Sequence, residues 1–193
     1  ISINNNSAAL YGKNNAGVLN SGTIFTGKDS VAIYANLTND ILNYGIINLG
    51  ENSKGIFSKD GTYTNDINTG KILSTSNSAT GIYSEYNAGG STLIRNSNEI
   101  TLFGLNSIGI YVIGTGIQNI ENTGIINISD SNDINDPSMG IYNENVANTL
   151  VNSGKISGSD YAIKFNNGSN VLELRDGTEI NGKIQGSTED NTV

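Results

Sequence analysis

Apolar and polar residues alternate along short stretches of this chain, and turn residues interrupt the alternation at regular intervals. From Ile41 to Leu49, one strand face carries Ile41 and Asn43 before a tight turn and Ile47 and Leu49 after it, and the segment from Ile120 to Ile128 repeats this arrangement. A period of two is that of a β-strand with one buried face. No stretch has the i, i+3, i+4 spacing of a helix over three turns, so the pattern predicts short strands.

The turns carry a five-residue motif that begins with Asn and ends with Ile. The third residue is Gly in every copy except one, in which it is Asn98. Because Gly, and after it Asn, best tolerates a positive φ, we predict a left-handed conformation at this position. The six copies begin at Asn20, Asn43, Asn68, Asn96, Asn122 and Asn152.

A second motif, consisting of a small, an aliphatic and an aromatic residue, alternates with the first. Strand parity predicts that Val31, Ile33 and Ala35 face inward, as do their counterparts in other copies, and that the small residue and the aromatic face outward. The last copy is degenerate and carries Lys164 at the aromatic position. The predicted outward stripe consists of Tyr11, Tyr34, Phe57, Tyr83, Tyr111 and Tyr142.

Both motifs recur at intervals of roughly 22 to 31 residues, which is typical of solenoids, propellers and arrays. Each unit holds about three short strands, too few for a four-stranded propeller blade. The pattern therefore predicts an all-β parallel β-helix in which like strands stack about 4.8 Å apart. We expect about 23–30 residues per coil and about 7–8 coils in one solenoid over residues 1–193, with a partial first coil at 1–6 and a polar tail at 187–193.

The six motif asparagines have inward parity, because the residue two positions earlier is apolar in every copy but the one with Asp66. An inward amide is costly to bury alone. We therefore expect an asparagine ladder in which each side chain bonds to its neighbours above and below and to the backbone of the turn. The role predicted for these residues is structural.

Composition and charge narrow the function. The chain contains no cysteine and no histidine, so it holds no disulfide, no thiolate metal site and no Ser-His-Asp triad. Its net charge of −8 repels nucleic acid and anionic lipid. The sequence shows no signal peptide and no apolar run long enough to span a bilayer. Since a repeat is already under way at Ile1 and another coil opens at Asn170, we expect a segment of a longer β-helix.

The tandem Asn-Ser/Thr-Gly-x-Ile and Gly-Ile-Tyr units, together with the Asn-x-Leu-x-Leu-x-x-Gly coil that starts at Asn170, resemble the passenger domains of type V autotransporters. The resemblance covers roughly residues 7 to 186 and is closest to the large adhesins of anaerobic Gram-negative bacteria. It implies a right-handed β-helix displayed on the cell surface, anchored by an outer-membrane β-barrel, that attaches to a host-cell receptor protein or glycan or to another bacterium. From the residues themselves we expect no cofactor, no enzymatic activity and no direct membrane insertion by this segment.

Candidate binding residues lie in the outward aromatic stripe and in the two insertions that interrupt the repeat. Tyr83, Tyr111 and Tyr142 belong to the outward stripe, which either binds a partner or packs on itself to shield the sheet. One insertion, 85–91, contains Tyr86. A second, 129–138, is the most acidic loop and contains Asp130, Asp133 and Asp136; it lacks the Gly and the later Glu of an EF-hand loop, so no metal site is predicted.

The sequence also bears on three functions other than adhesion. A polysaccharide-active enzyme needs carboxylates or a basic residue clustered at one cross-section, and Arg95 and Arg175 fall on distant coils. An ice-binding face needs regular outward threonines, which the outward position containing Thr23 lacks in later copies. A purely structural stalk remains an alternative to adhesion.

Overall fold

The computed structural model describes residues 1–37, 40–60, 63–87, 91–129, 138–144, 148–189 and 191–193. Within them, strands stack in parallel as a β-solenoid, which confirms the predicted fold class. Each coil contributes three strands, and every strand pairs with its counterparts in the coils before and after it. The ladder asparagines of successive coils are 23 to 30 residues apart, as the repeat length predicts.

The strands form three rows, named here by their order within a coil. The first row contains β1 (Ala8–Lys13), β4 (Val31–Asn36), β7 (Lys54–Lys59), β10 (Thr80–Tyr86), β13 (Ile108–Gly114) and β16 (Met139–Glu144). The second contains β2 (Val18–Asn20), β5 (Asp40–Asn43), β8 (Tyr63–Asn68), β11 (Ser91–Asn96), β14 (Ile117–Asn122), β17 (Asn148–Asn152), β19 (Asn170–Leu174) and β21 (Asn191–Thr192). The third contains β3 (Thr23–Phe25), β6 (Ile46–Leu49), β9 (Lys71–Ser74), β12 (Glu99–Leu102) and β15 (Ile125–Ile128).

Two longer strands end the stack. β18 (Lys155–Phe165) runs from the third row directly into the first, and β20 (Glu179–Gln185) pairs with both of its halves. The described strands thus make six complete coils and one partial coil, fewer than the seven to eight predicted. The count is lower because the last motif-like segment pairs along β18 and adds no complete further coil.

Isoleucine columns form the core. Ile24, Ile47, Ile72, Ile100, Ile126 and Ile156 are register partners in successive coils, and each is 0% exposed. A second column in the first row runs from Ile33 through Ile56, Ile82, Ile110 and Ile141 to Ile163. Each fully buried side chain contributes roughly 1.5 to 3 kcal/mol. The solenoid is therefore stabilised mainly by contacts between neighbouring coils.

The inward set predicted for the first row is partly wrong. Ile33 and Ala35 are buried, but Val31 is only half-buried, and the small residue Ala32 is 0% exposed instead of pointing outward. At the equivalent Gly55, a Cβ would lie 2.6 Å from the carbonyl oxygen of Gly81 and 2.9 Å from a methyl of the core Ile72. This position is small because the next coil and the isoleucine column approach it closely.

Candidate functional site

The six motif asparagines form one continuous ladder through the interior. The side-chain Nδ2 of each donates to the Oδ1 of the next, over 2.7 to 2.9 Å, from Asn20 to Asn152. The amides also bond to turn backbone, as when Nδ2 of Asn68 donates to the carbonyl of Glu99 at 3.2 Å. All six are at most 4% exposed, so they stabilise the scaffold and present nothing to a ligand.

The glycines of the Asn-x-Gly turns after the first are required for space and not for a left-handed backbone. Left-handed φ values occur at Gly114, Gly168, Gly177 and Gly182 and not at any Gly or Asn of this motif position, so that prediction was wrong. A Cβ at Gly45 would lie 1.9 Å from the carbonyl oxygen of the glycine one coil earlier. The turns stack so closely that the added carbon does not fit.

A serine column on another edge of the coil was not predicted. Ser30 and Ser53 illustrate the contact, since the backbone N–H of Ser30 donates to the hydroxyl of Ser53 at 3.0 Å. The residue before each of the first five members has a left-handed φ, as Asp29 does at 54°. The signal in the sequence was an Asx-Ser pair just before the second motif, which occurs in four of the six copies. The column consists of Ser7, Ser30, Ser53, Ala79, Ser107 and Ser138.

The aromatic stripe is continuous and packs on itself. Neighbouring ring centroids from Tyr11 to Tyr142 lie 4.8 to 5.4 Å apart. Lys54 lies over the Tyr83 ring at 5.3 Å and Lys164 over the Tyr142 ring at 5.6 Å. Burial, and then the hydrogen bond that Tyr111 donates to Glu144, raise the pKa of Tyr111 above its usual range. Ring contacts and cations therefore cover much of the surface on which a ligand would stack.

The remaining predicted binding residues are Tyr86 and the three aspartates of the second insertion. Tyr86 is only 1% exposed, so it belongs to the interior and not to a binding surface, contrary to its proposed role. The inward parity of β10 directs its side chain to the interior. Asp130, Asp133 and Asp136 lie outside the described residues.

A groove on the outer face of the third row was also missed by sequence reasoning. It has a volume of about 580 Å³, within the range of small-molecule sites. Its floor is the outward-facing row of Asn48, Leu73, Thr101 and Asn127. One side of the groove is formed by residues two positions before the floor residues, Glu99 and Ile125. The other side is formed by residues two positions after them, Thr75 and Phe103.

Polar groups in this groove differ in how they are bonded. Glu99 accepts from Lys71 at 2.7 Å and from the Thr101 hydroxyl at 3.0 Å, and the Lys71 bond is the main reason that its pKa is lowered. Within the part of the chain that the structure describes, the side-chain amides of Asn48 and Asn127 form no hydrogen bond. Phe103 is 48% exposed. An aromatic residue directly after a third-row strand was the available signal in the sequence.

One carboxylate lies inside the solenoid. Asp66 takes a core position between its register partners Ile41 and Ile94 and is 0% exposed. It accepts a short hydrogen bond from Ser58, whose hydroxyl lies 3.2 Å from that of Ser84. Burial raises the pKa of Asp66 to about 7. This carboxyl group is therefore a feature of the core.

Among the described residues, no group of three or more His, Cys, Asp or Glu side chains is placed to hold a metal ion. The described part of the chain also contains no helix that is long and apolar enough to cross a membrane. Comparison with known proteins gives no matching family model, no matching curated protein and no matching solved structure. The motifs, the fold and the surface therefore carry the functional argument.

Proposed function

We propose that this chain is a segment of a bacterial cell-surface adhesin of the type V autotransporter kind, displayed outside the outer membrane. The observation that carries the proposal is the succession of near-identical coils held together by internal asparagine and serine columns. Such a scaffold extends along one axis without disulfides or metal and leaves its outer face free to vary. The motif resemblance supplies the class of protein.

Attachment to a host-cell receptor protein or glycan, or to another bacterium, is the activity we assign to this scaffold. The net charge of −8 favours neutral or basic partners over nucleic acid and anionic membranes. Side chains that vary from coil to coil, such as Glu99, Ile125 and Lys155 at one outward position, give the surface a non-repeating character. Variation on a regular scaffold is what partner recognition requires.

The test is attachment of the fluorescently labelled chain to epithelial cells and to other bacteria. We expect saturable attachment that is lost when the chain is thermally unfolded. Deleting 131–136, or changing Tyr83, Tyr111 and Tyr142 together to Ser, shows whether the loop or the stripe contributes, with far-ultraviolet circular dichroism confirming the β fold. Absence of saturable attachment to any surface would contradict the proposal.

A structural stalk is the second candidate, and the self-packed aromatic stripe favours it. Because these rings already contact one another and lie beneath lysine side chains, a bound partner would add few favourable contacts to them. If the stripe and loop variants both attach as well as the parent chain, neither feature is the binding site. If the parent chain does not attach at all, the stalk is the better description.

A further inference from the structure

The groove over β6, β9, β12 and β15 combines a concave shape with side-chain amides that have no hydrogen-bond partner among the described residues. Its central floor is Leu73 and Thr101, the latter only 9% exposed, so the depression reaches close to the sheet. The aromatic ring of Phe103 stands at one side and is half exposed. The groove is thus concave, amphipathic and accompanied by an accessible ring.

Free amides lie at both ends of the groove. Asn48 and Asn127 are three rungs apart in the register, which corresponds to about 14 Å along the solenoid axis. Both side chains are half-buried and, among the described residues, without a hydrogen-bond partner. Each amide offers two donors and an acceptor. A purely apolar ligand would leave them unsatisfied, at a cost in free energy.

The groove has no backbone for a peptide strand to pair with. Each of its four strands is bonded to a neighbour on both sides within one continuous sheet. Strand addition requires a free edge, so an extended peptide has no main-chain contacts here. Recognition must come from side-chain amides, hydroxyls and the ring of Phe103.

Charge excludes anionic ligands. The only carboxylate in the groove, Glu99, is neutralised by Lys71, and the chain as a whole carries a charge of −8. No unpaired cation lines the groove among the described residues to attract a carboxylate or sulfate group. The ligand that satisfies these conditions has many hydroxyls, apolar ring faces, an extended shape and no charge.

We propose that this groove binds a neutral oligosaccharide. The inference rests on the proposed adhesive function and specifies its partner chemistry. Asn48 and Asn127 bond to hydroxyl groups near the two ends of the ligand, Thr101 contacts it at the floor, and Phe103 stacks on the apolar face of a sugar ring.

The experiment measures binding of the whole chain to an immobilised panel of neutral hexose and N-acetylhexosamine oligomers, with uronate-containing and sialylated oligomers in parallel. Calorimetry on the strongest member gives the affinity. We expect neutral members to bind, and Phe103→Ala and Asn127→Ala each to weaken binding by about tenfold or more, because each removes one of the few specific contacts. Tyr11→Ala, at an exposed ring on β1 outside the groove, and Asn119→Ala, on β14, are the matched controls and should not change affinity.

Several outcomes would overturn the groove assignment. They are absence of binding to all neutral oligomers, preference for anionic ones, or equal affinity for parent, Phe103→Ala and Asn127→Ala proteins. Cell attachment separates this proposal from the broader one. If Phe103→Ala protein still attaches to cells, the groove is not the adhesive site, but the adhesive function stands. If the groove binds sugar and the chain does not attach to cells, the groove assignment stands, but the adhesive function is contradicted.

Discussion

At the scale of the residue, two buried polar groups have opposite effects on stability. The ladder asparagines are fully bonded to one another, so burying them leaves little unsatisfied. Asp66 is buried with only one of its two carboxyl oxygens bonded within the described residues. A buried polar group is tolerated when it has partners and destabilises when it lacks them.

Replacing Asn96 or Asn122 with Ala should lower the free energy of unfolding by about 1 to 3 kcal/mol. Each change leaves the amides above and below without a partner in the core. The measurement is urea unfolding followed by circular dichroism. Asn127→Ala is the control, because this side chain is half-buried and is outside the ladder. Equal midpoints for all three variants would contradict a stabilising ladder.

The carboxyl group of Asp66 should make the folded protein less stable as pH rises from about 4 to about 7. Its pKa is raised from 3.8 to about 7 on folding, so the folded state holds a proton that the unfolded state has released. Below the unfolded pKa the carboxyl group is protonated in both states, and its ionisation does not affect stability. As pH rises from there to the folded pKa, the free energy of unfolding falls by up to about 4 kcal/mol.

The measurement is the free energy of unfolding of parent and Asp66→Asn proteins at several pH values. The variant lacks this titratable group. Its free energy of unfolding should therefore increase relative to that of the parent as pH rises, and the difference should level off above about pH 7. A difference that does not vary with pH would show that the carboxyl group is accessible to solvent in the folded state. Ser84→Ala, beside the group but not bonded directly to it, serves as a control for altered packing.

At the scale of the element, close stacking of turns decides which residues fit. The hydrogen bonds from the residue after each Asn-x-Gly turn to the turn one coil earlier are mostly near 2.9 Å, as from Lys71 to Gly45. The bond from Glu99 to Gly70 is 3.4 Å, and it follows Asn98, the copy in which Gly is replaced. The Cβ of Asn98 thus separates the two turns slightly.

Gly45→Ala should destabilise the solenoid by about 1 to 3 kcal/mol, because its Cβ would lie 1.9 Å from the carbonyl oxygen of Gly22. Gly22→Ala is a matched control at the same motif position, since a Cβ there meets nothing within 4 Å. Melting temperatures of the two variants provide the comparison. If both melt together, crowding is not the reason for glycine at this position.

At the scale of the whole molecule, each coil contacts mainly the coils next to it. Stability then depends on interfaces that repeat, while chemistry depends on side chains that differ between coils. The described outer face carries isolated ion pairs, such as Lys155 with Glu179, and the groove described above. These features distinguish individual coils on an otherwise repeating scaffold.

We expect the chain not to turn over pectin, alginate or glycosaminoglycans, with or without calcium. Acid–base cleavage requires two suitably placed titratable groups at the scissile bond, and the groove offers one carboxylate that is already paired. Reducing-sugar release and the absorbance of unsaturated products measure the activity. Formation of either product above that from the heat-inactivated chain would establish an enzyme.

The sequence by itself determined the strands, the coil length and the asparagine ladder, because these follow from local parity and from a repeat that brings identical residues into register. It also showed where the aromatic stripe lies. Only the tertiary structure decided the features that depend on distances between coils. They are the space that requires Gly45, the burial of Ala32 and Tyr86, and the depression beside Phe103. Parity assigns a side chain to a face, whereas packing of the next coil decides how much room and how much solvent it has there.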